Sequence, residues 1–315
     1  MMRLLNAEPE NYSSEAKEIL NPFFKIDEAQ LTREQLIKAI VLYDIIIVRL
    51  KYNIDKQIID AGSKLRAIVT ATTGLDHIDV EYASSKGVSV LSLKGETDFL
   101  QAIPSTAEHT WALLLSLIRK IPFAFKSVKK GSWERNEFRG SNLSGKVLGI
   151  VGYGRVGSQV AKFGLSFGMK VISYSLGHYK VMPNVIIKPS LKSLLAESDI
   201  VTLHVPLNVH TNSMISGPEF NQMKNNVIII NTSRGEIIDT KVLYTKLIDN
   251  KISGAALDVL PDERHHNKYN DKLILYSSKN TNLIITPHIA GATIESMIAT
   301  EIFMARKLLK FMKSV

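Results

Sequence analysis

The chain has 315 residues, of which 45% are hydrophobic and 22% charged, with a formal net charge of +9 and no cysteine. That length allows two domains, each with its own core. The composition is that of a globular protein, and no apolar run approaches the ~20 residues that span a bilayer. Lack of cysteine excludes disulfides, thiolate metal sites and cysteine nucleophiles. The start, Met1-Met-Arg-Leu-Leu-Asn-Ala-Glu8, has no signal peptide's apolar centre, so a cytoplasmic, metal-free protein is expected. Its lysines are scattered, the densest group being Lys126 with Lys129 and Lys130. Without an aromatic-interleaved basic stripe, the positive charge reads as solvated surface, not as a nucleic-acid or membrane face.

Short apolar segments at 3–5, 45–49, 67–71, 88–91, 147–151, 170–174, 199–204, 227–231, 254–258 and 282–286 alternate with helical patterns. Such alternation predicts an α/β protein with parallel sheets. Ser105-Thr-Ala-Glu108 has the form of a capping box, with Ser105 as N-cap, and opens a helix to residue 119 that is apolar almost all round. The last helix, about 293–312, carries Ile294, Met297, Ile298, Ile302, Leu308 and Leu309 at helical spacing. It is too short to be a domain, so it is expected to pack on the first hundred residues.

The densest signal lies at 147–164. An apolar strand feeds Gly152-Tyr-Gly154-Arg155-Val156-Gly157, and a helical pattern follows. A strand, a Gly-rich turn and a helix N-terminus form a pyrophosphate cradle, because unpaired backbone N–H groups and the helix dipole face the anion. Gly152 suits the tight turn, Gly154 the close approach of a dinucleotide, and Gly157 the packing of helix on strand.

Three later segments place polar groups at the carboxyl ends of apolar strands, where open α/β sheets bind ligands: Asn231-Thr232-Ser233-Arg234-Gly235, Ala255-Ala-Leu-Asp258 running on to Glu263, and Thr286-Pro-His288-Ile-Ala. With Gly74-Leu-Asp-His-Ile-Asp79, Ala107-Glu-His-Thr110, Gly131-Ser-Trp133 and His204-Val205-Pro206, they make the chain resemble the D-isomer-specific 2-hydroxyacid dehydrogenases. That family includes 3-phosphoglycerate dehydrogenases and glycerate or hydroxypyruvate reductases.

The resemblance implies two Rossmann-like or flavodoxin-like parallel-sheet domains. A NAD(P)-binding domain at 104–288 would be inserted in a discontinuous catalytic domain, 1–103 with 289–315. It further implies hydride transfer between NAD(H) or NADP(H) and a D-2-hydroxy acid/2-oxo acid pair in a homodimer, paired through the helix at 105–119 and the excursion at 131–143. By the same resemblance His288 is the general acid/base, Glu263 orients it and favours its charged form, and Arg234 holds the substrate carboxylate. Asp258 binds the nicotinamide carboxamide. Cofactor contacts are implied for Gly152, Gly154, Arg155, Val156, Gly157, Ser175, Val205, Pro206, Thr211, Thr232, Ser233 and His288. Substrate contacts are implied for Thr73, Gly74, Lys94, Gly95, Arg234 and His288. The chemistry is coherent by itself: reducing a 2-oxo acid needs a cofactor cradle, a cation for the carboxylate and a proton donor.

Two stretches depart from the pattern. Ser175 stands where an acidic residue usually grips the adenosine ribose, with His178 and Lys180 just downstream, so NAD and NADP both stay open. The loop at 92–105 looks long and brings Glu96 and Asp98, which either read substrate hydroxyls or face water; Lys51 and Tyr52 could border the same pocket. Formate dehydrogenases and a NAD(H)-sensing, corepressor-like protein are the alternatives on the same architecture.

Overall fold

The computed structural model describes residues 1–177, 180–263 and 271–314. The chain divides into two compact units, Met1–Ala102 with Ala292–Val315, and Ile103–Gly291.

The first unit is built on five parallel strands, β1 (Met2–Asn6), β2 (Phe24–Glu28), β3 (Ile45–Val48), β4 (Ala67–Thr70) and β5 (Ser89–Leu91), in the order β2-β1-β3-β4-β5. Central strands β3 and β4 are buried at every position, as expected of a parallel sheet covered on both faces. The order reverses between β1 and β3, which makes that crevice the unit's topological switch point. Helix Ile294–Met312 completes this unit, packing on helix Ser14–Leu20 and on β4 and β5. Three contacts fasten it. Glu301, 2% exposed, accepts the Ser13 N–H at 2.6 Å and pairs with Arg49 at 3.0 Å. Phe303 stacks on Phe99 with ring centroids 4.1 Å apart. Lys307 Nζ reaches the Ser92 carbonyl at 2.8 Å and Glu96 at 2.5 Å.

The second unit holds seven parallel strands: β6 (Val147–Val151), β7 (Lys170–Tyr174), β8 (Val185–Ile187), β9 (Ile200–Leu203), β10 (Val227–Asn231), β11 (Ile252–Leu257) and β12 (Leu283–Ile285). Their order, β12-β11-β10-β9-β6-β7-β8, reverses between β6 and β9. The carboxyl ends of β6, β7, β10 and β11 thus carry the Gly-rich turn, Ser175, Arg234 and Asp258. Helix Ser105–Ile118 packs on helix Arg155–Ser166 and on β10, β11 and β12. That contact accounts for its nearly continuous apolar surface.

Two strands, β2 and β8, are absent from the sequence-based expectation. Both are sheet edges. β2 (Phe-Lys-Ile-Asp-Glu) is mostly polar because its outer side meets water, and Asp27 pairs with Arg3 of β1 at 2.6 Å. β8 has only three residues, with Ile186 and Ile187 exposed. The capping box is also corrected. Pro104, in the helical region, is the N-cap, and Ser105 is already the first helical residue. The Glu108 N–H bonds the Pro104 carbonyl instead. Ser105 Oγ is buried without a hydrogen-bond partner among the described residues, because it sits one position too far along the helix to cap it.

Candidate active site

Gly152 adopts φ +97°, and a Cβ there would come within 2.7 Å of the His204 carbonyl oxygen. A Cβ on Gly157 would meet the Gly152 carbonyl at 2.1 Å, so the first turn of the helix lies directly on the strand end. Beside Gly154, by contrast, there is open space, and no side chain caps the helix Arg155–Ser166. An uncapped twelve-residue helix facing an open Gly position fits a pyrophosphate group.

Around this turn, Arg155 donates to the Ile103 carbonyl at 3.0 Å, and Val156 is half-buried. Ser175 follows β7 and is half-buried; Lys180 is exposed, and His178 lies outside the described residues. Val205 and Pro206 leave β9 in a turn closed by Thr211, whose hydroxyl donates to the Pro206 carbonyl at 2.6 Å and accepts the Asn208 N–H at 2.8 Å. Burial holds the His204 imidazole down at about 3, so it is neutral at physiological pH; its Nε2 lies 2.9 Å from the Thr202 hydroxyl.

The Arg234 turn is organised by Asn231, the last, fully buried residue of β10. Its amide donates to the Arg234 carbonyl at 2.7 Å, while its Oδ1 accepts the Ser233 N–H at 3.0 Å and hydroxyl at 2.7 Å. Thr232 is buried with its hydroxyl 2.9 Å from that of Thr110. Arg234 has extended backbone, is half-buried and donates through Nη1 to the Ser233 carbonyl at 2.7 Å. The next residue must be glycine. A Cβ on Gly235 would fall 2.0 Å from the carbonyl carbon of Leu260, so this turn packs tightly on the segment leading to Glu263.

Glu263 links the pieces. One carboxylate oxygen accepts the Leu260 N–H at 3.1 Å, and the other lies 2.7 Å from His288 Nδ1. A carboxylate accepts only, so it fixes the imidazole tautomer with hydrogen on Nδ1. His288 and Glu263 side chains are 26% and 30% exposed, enough to meet a ligand. His288 has φ +56°, a left-handed conformation that is uncommon outside glycine and marks functional sites.

Asp258, 1% exposed, holds that unusual backbone. Its carboxylate accepts the N–H groups of Ile289 at 2.9 Å and Ala290 at 2.7 Å and the Thr286 hydroxyl at 2.6 Å; His109 Nε2 lies 3.3 Å away. Its carbonyl takes the His288 N–H at 2.8 Å. Burial alone would raise this carboxyl, but the donors from His109, Thr286, Ile289 and Ala290 hold it below the ordinary carboxylate value. A depressed carboxyl contributes stability above its unfolded pKa of about 3.9 and loses it as pH falls through the folded value. Asp258→Asn is therefore expected to destabilise the fold by about 1–3 kcal/mol at pH 7. The gap from wild type should shrink below about pH 4. Urea denaturation of both proteins at pH 7 and pH 3 checks this; an equal gap at both would contradict it.

Thr73, Gly74, Lys94 and Gly95 belong to the first unit, on the loops after β4 and β5. The Leu93 N–H bonds the Thr72 carbonyl at 3.0 Å, joining the two loops, and Thr73, Lys94 and Gly95 are exposed. Gly95 takes φ +89°. Asp98 is exposed, and Glu96 pairs with Lys307. Tyr52 is buried, with its hydroxyl donating to the Leu31 carbonyl at 2.7 Å. Among the described residues no group of three His, Asp or Glu side chains is arranged to hold a metal.

Asn231, Thr110, His109 and Thr286 escaped the sequence reading as site residues, although all four lie in segments it singled out. Thr110, His109 and Thr286 act through partners distant in sequence, which no local pattern announces, whereas Asn231 acts inside its own turn, through Ser233 and Arg234.

A sequence model described as D-isomer specific 2-hydroxyacid dehydrogenase, NAD binding domain, matches residues 111–290. A hydroxypyruvate reductase of Thermotoga maritima is 36% identical over 91% of this chain and 90% of its own length. A D-3-phosphoglycerate dehydrogenase of Archaeoglobus fulgidus is also 36% identical over 90% of this chain, which spans only 52% of that protein. Among solved structures, a D-lactate dehydrogenase from Aquifex aeolicus complexed with NAD and lactic acid superimposes with a TM-score of 0.83 at 31% identity. The match covers 99% of this chain and 95% of that one.

Proposed function

We propose that this chain, which belongs to the D-isomer specific 2-hydroxyacid dehydrogenase family, reduces a small 2-oxo acid to its D-2-hydroxy acid with NADH or NADPH. The observation that carries the reading is the Glu263–His288 pair, 2.7 Å apart in the same unit as the Gly-rich turn. Glu263 keeps the Nδ1 proton in place and orients the ring, whose Nε2 gives a proton to the C2 oxygen of the substrate. Arg234 offers a planar, permanently charged fork to the substrate carboxylate. A dinucleotide held by its pyrophosphate at the Gly-rich turn would supply the hydride.

Ser175 leaves the end of β7 without a carboxylate to repel a 2′-phosphate, which supports use of either dinucleotide. Of the alternatives, formate oxidation has no C2 oxygen to protonate, and a pure NAD(H) sensor has no use for a carboxylate-backed histidine. Among the described residues no helix is long and apolar enough to cross a membrane; a cytoplasmic enzyme accords with this. Self-association as a homodimer is supported by an exposed apolar face on helix Ile121–Lys129 and beyond: Ile121, Phe125, Val128 and Trp133, the last 84% exposed. Sedimentation at micromolar concentration should give twice the 35.1 kDa chain mass; a monomer would remove this part of the reading.

Oxidation of NADH and NADPH in parallel against glyoxylate, hydroxypyruvate, phosphohydroxypyruvate and pyruvate tests the activity. Turnover of at least one oxo acid is expected. Cofactor binding without any turnover would favour the sensor, and failure to bind either dinucleotide would overturn the proposal.

A further inference from the structure

We propose that His109 is a positioning residue for the reaction: through Thr286 and Asp258 it holds the left-handed backbone that aims the His288 imidazole. This rests on the activity proposed above and adds to it a residue that acts on His288 from another element of the same unit.

The directions of the hydrogen bonds follow from what each group can give. The Thr286 hydroxyl has one hydrogen, and the Asp258 carboxylate 2.6 Å away can only accept it. His109 Nε2, 3.0 Å from the same hydroxyl oxygen, is then the donor of that contact, so the ring carries hydrogen on this nitrogen. The same Nε2 lies 3.3 Å from Asp258 Oδ1. His109 thus gives, Thr286 passes on and Asp258 receives. Asp258 in turn accepts the N–H groups of Ile289 at 2.9 Å and Ala290 at 2.7 Å, the two residues that follow His288.

Two features tie this chain of bonds to His288 and not to core packing in general. His288, at φ +56°, needs an external hold, because a non-glycine residue in that region is strained. The direction of its Cβ follows the backbone, and with it the 2.7 Å meeting of Nδ1 with Glu263. The hold also comes from a well-packed source. His109 lies on helix Ser105–Ile118, which packs on β10, β11 and β12, and the next residue, Thr110, meets the Thr232 hydroxyl after β10 at 2.9 Å. Two adjacent residues of one helix therefore brace the Thr232 turn and the His288 segment together. An apolar side chain at 109 would fill the same space and leave the Thr286 oxygen and the Asp258 carboxylate short of a donor.

His109→Leu keeps much of the volume and removes the donor. It is expected to lower kcat for 2-oxo acid reduction by about 10- to 100-fold, the effect of a slightly misplaced proton donor, with KM and NADH affinity within about threefold of wild type. His109→Gln, whose amide nitrogen can stand where Nε2 stood, should restore kcat to within about threefold of wild type. Thr286→Val breaks the middle of the chain, and adding it to His109→Leu should lower kcat little further, because the two act in series. Histidine-selective isotope labelling read by NMR on the neutral ring, with His288 assigned through His288→Ala, follows the same effect without turnover. Hydrogen on Nδ1 is expected in wild type and in His109→Gln, and a mixture of tautomers in His109→Leu. An unmoved His288 tautomer in folded His109→Leu would overturn the inference, as would equal kcat losses in His109→Leu and His109→Gln. Absence of any 2-oxo acid turnover in wild type would instead count against the proposed activity, and the tautomer comparison would still decide the role of His109.

Discussion

Replacing His288 by alanine is expected to lower kcat for 2-oxo acid reduction by about 10²–10⁴-fold, the usual contribution of a positioned general acid. The imidazole is the group whose placement the surrounding chain determines most completely. Asp258 accepts the N–H groups of the two residues that follow it, the Asp258 carbonyl takes its own N–H, and Glu263 fixes its ring from the Nδ1 side. Without the imidazole, the Gly152–Gly157 turn and helix Arg155–Ser166 are untouched, so reduced dinucleotide should still bind within a few-fold of wild type. Fluorescence titration with NADH alongside stopped-flow turnover separates the two effects. Activity within about threefold of wild type in His288→Ala would mean that the proton comes from elsewhere.

The second large effect is expected at Arg234. Arg234→Lys keeps the charge but loses the planar fork, and with it two charge-assisted hydrogen bonds to the carboxylate, each worth about 1.5–3 kcal/mol. A fall of about 10²-fold or more in kcat/KM should follow, carried largely by KM. The turn itself should survive, because Asn231 grips it through the Arg234 carbonyl and through Ser233, leaving the Arg234 side chain out of that grip. Unaltered kcat/KM for Arg234→Lys would mean that the carboxylate is held by other groups.

What the sequence disclosed depended on how local the physics was. The parallel strands of both sheet centres, such as β3 and β6, were legible because burial on both faces favours runs rich in Ile, Val and Leu. The Gly-rich turn was legible because a positive φ at Gly152 and the contact at Gly157 admit no side chain. Edge strands β2 and β8 were hidden, since one open side removes the need for continuous apolar residues. Ser105 misled because a capping box looks the same whether serine stands at N-cap or one residue inside. In the candidate site, Arg234, Glu263 and His288 stood out through a resemblance, whereas Asn231 and His109 did not. His109 acts through a tertiary contact toward Asp258, and Asn231 through bonds within its own turn, to Ser233 and Arg234.

The central claim is that the nicotinamide hydride goes to C2 of a 2-oxo acid and yields the D-hydroxy acid. Its most direct test is a single turnover with cofactor deuterated at the transferable C4 position, followed by chiral chromatography and mass analysis of the product. A D-2-hydroxy acid carrying one deuterium at C2 is the expected product. An L product, or a product without deuterium at C2, would contradict it.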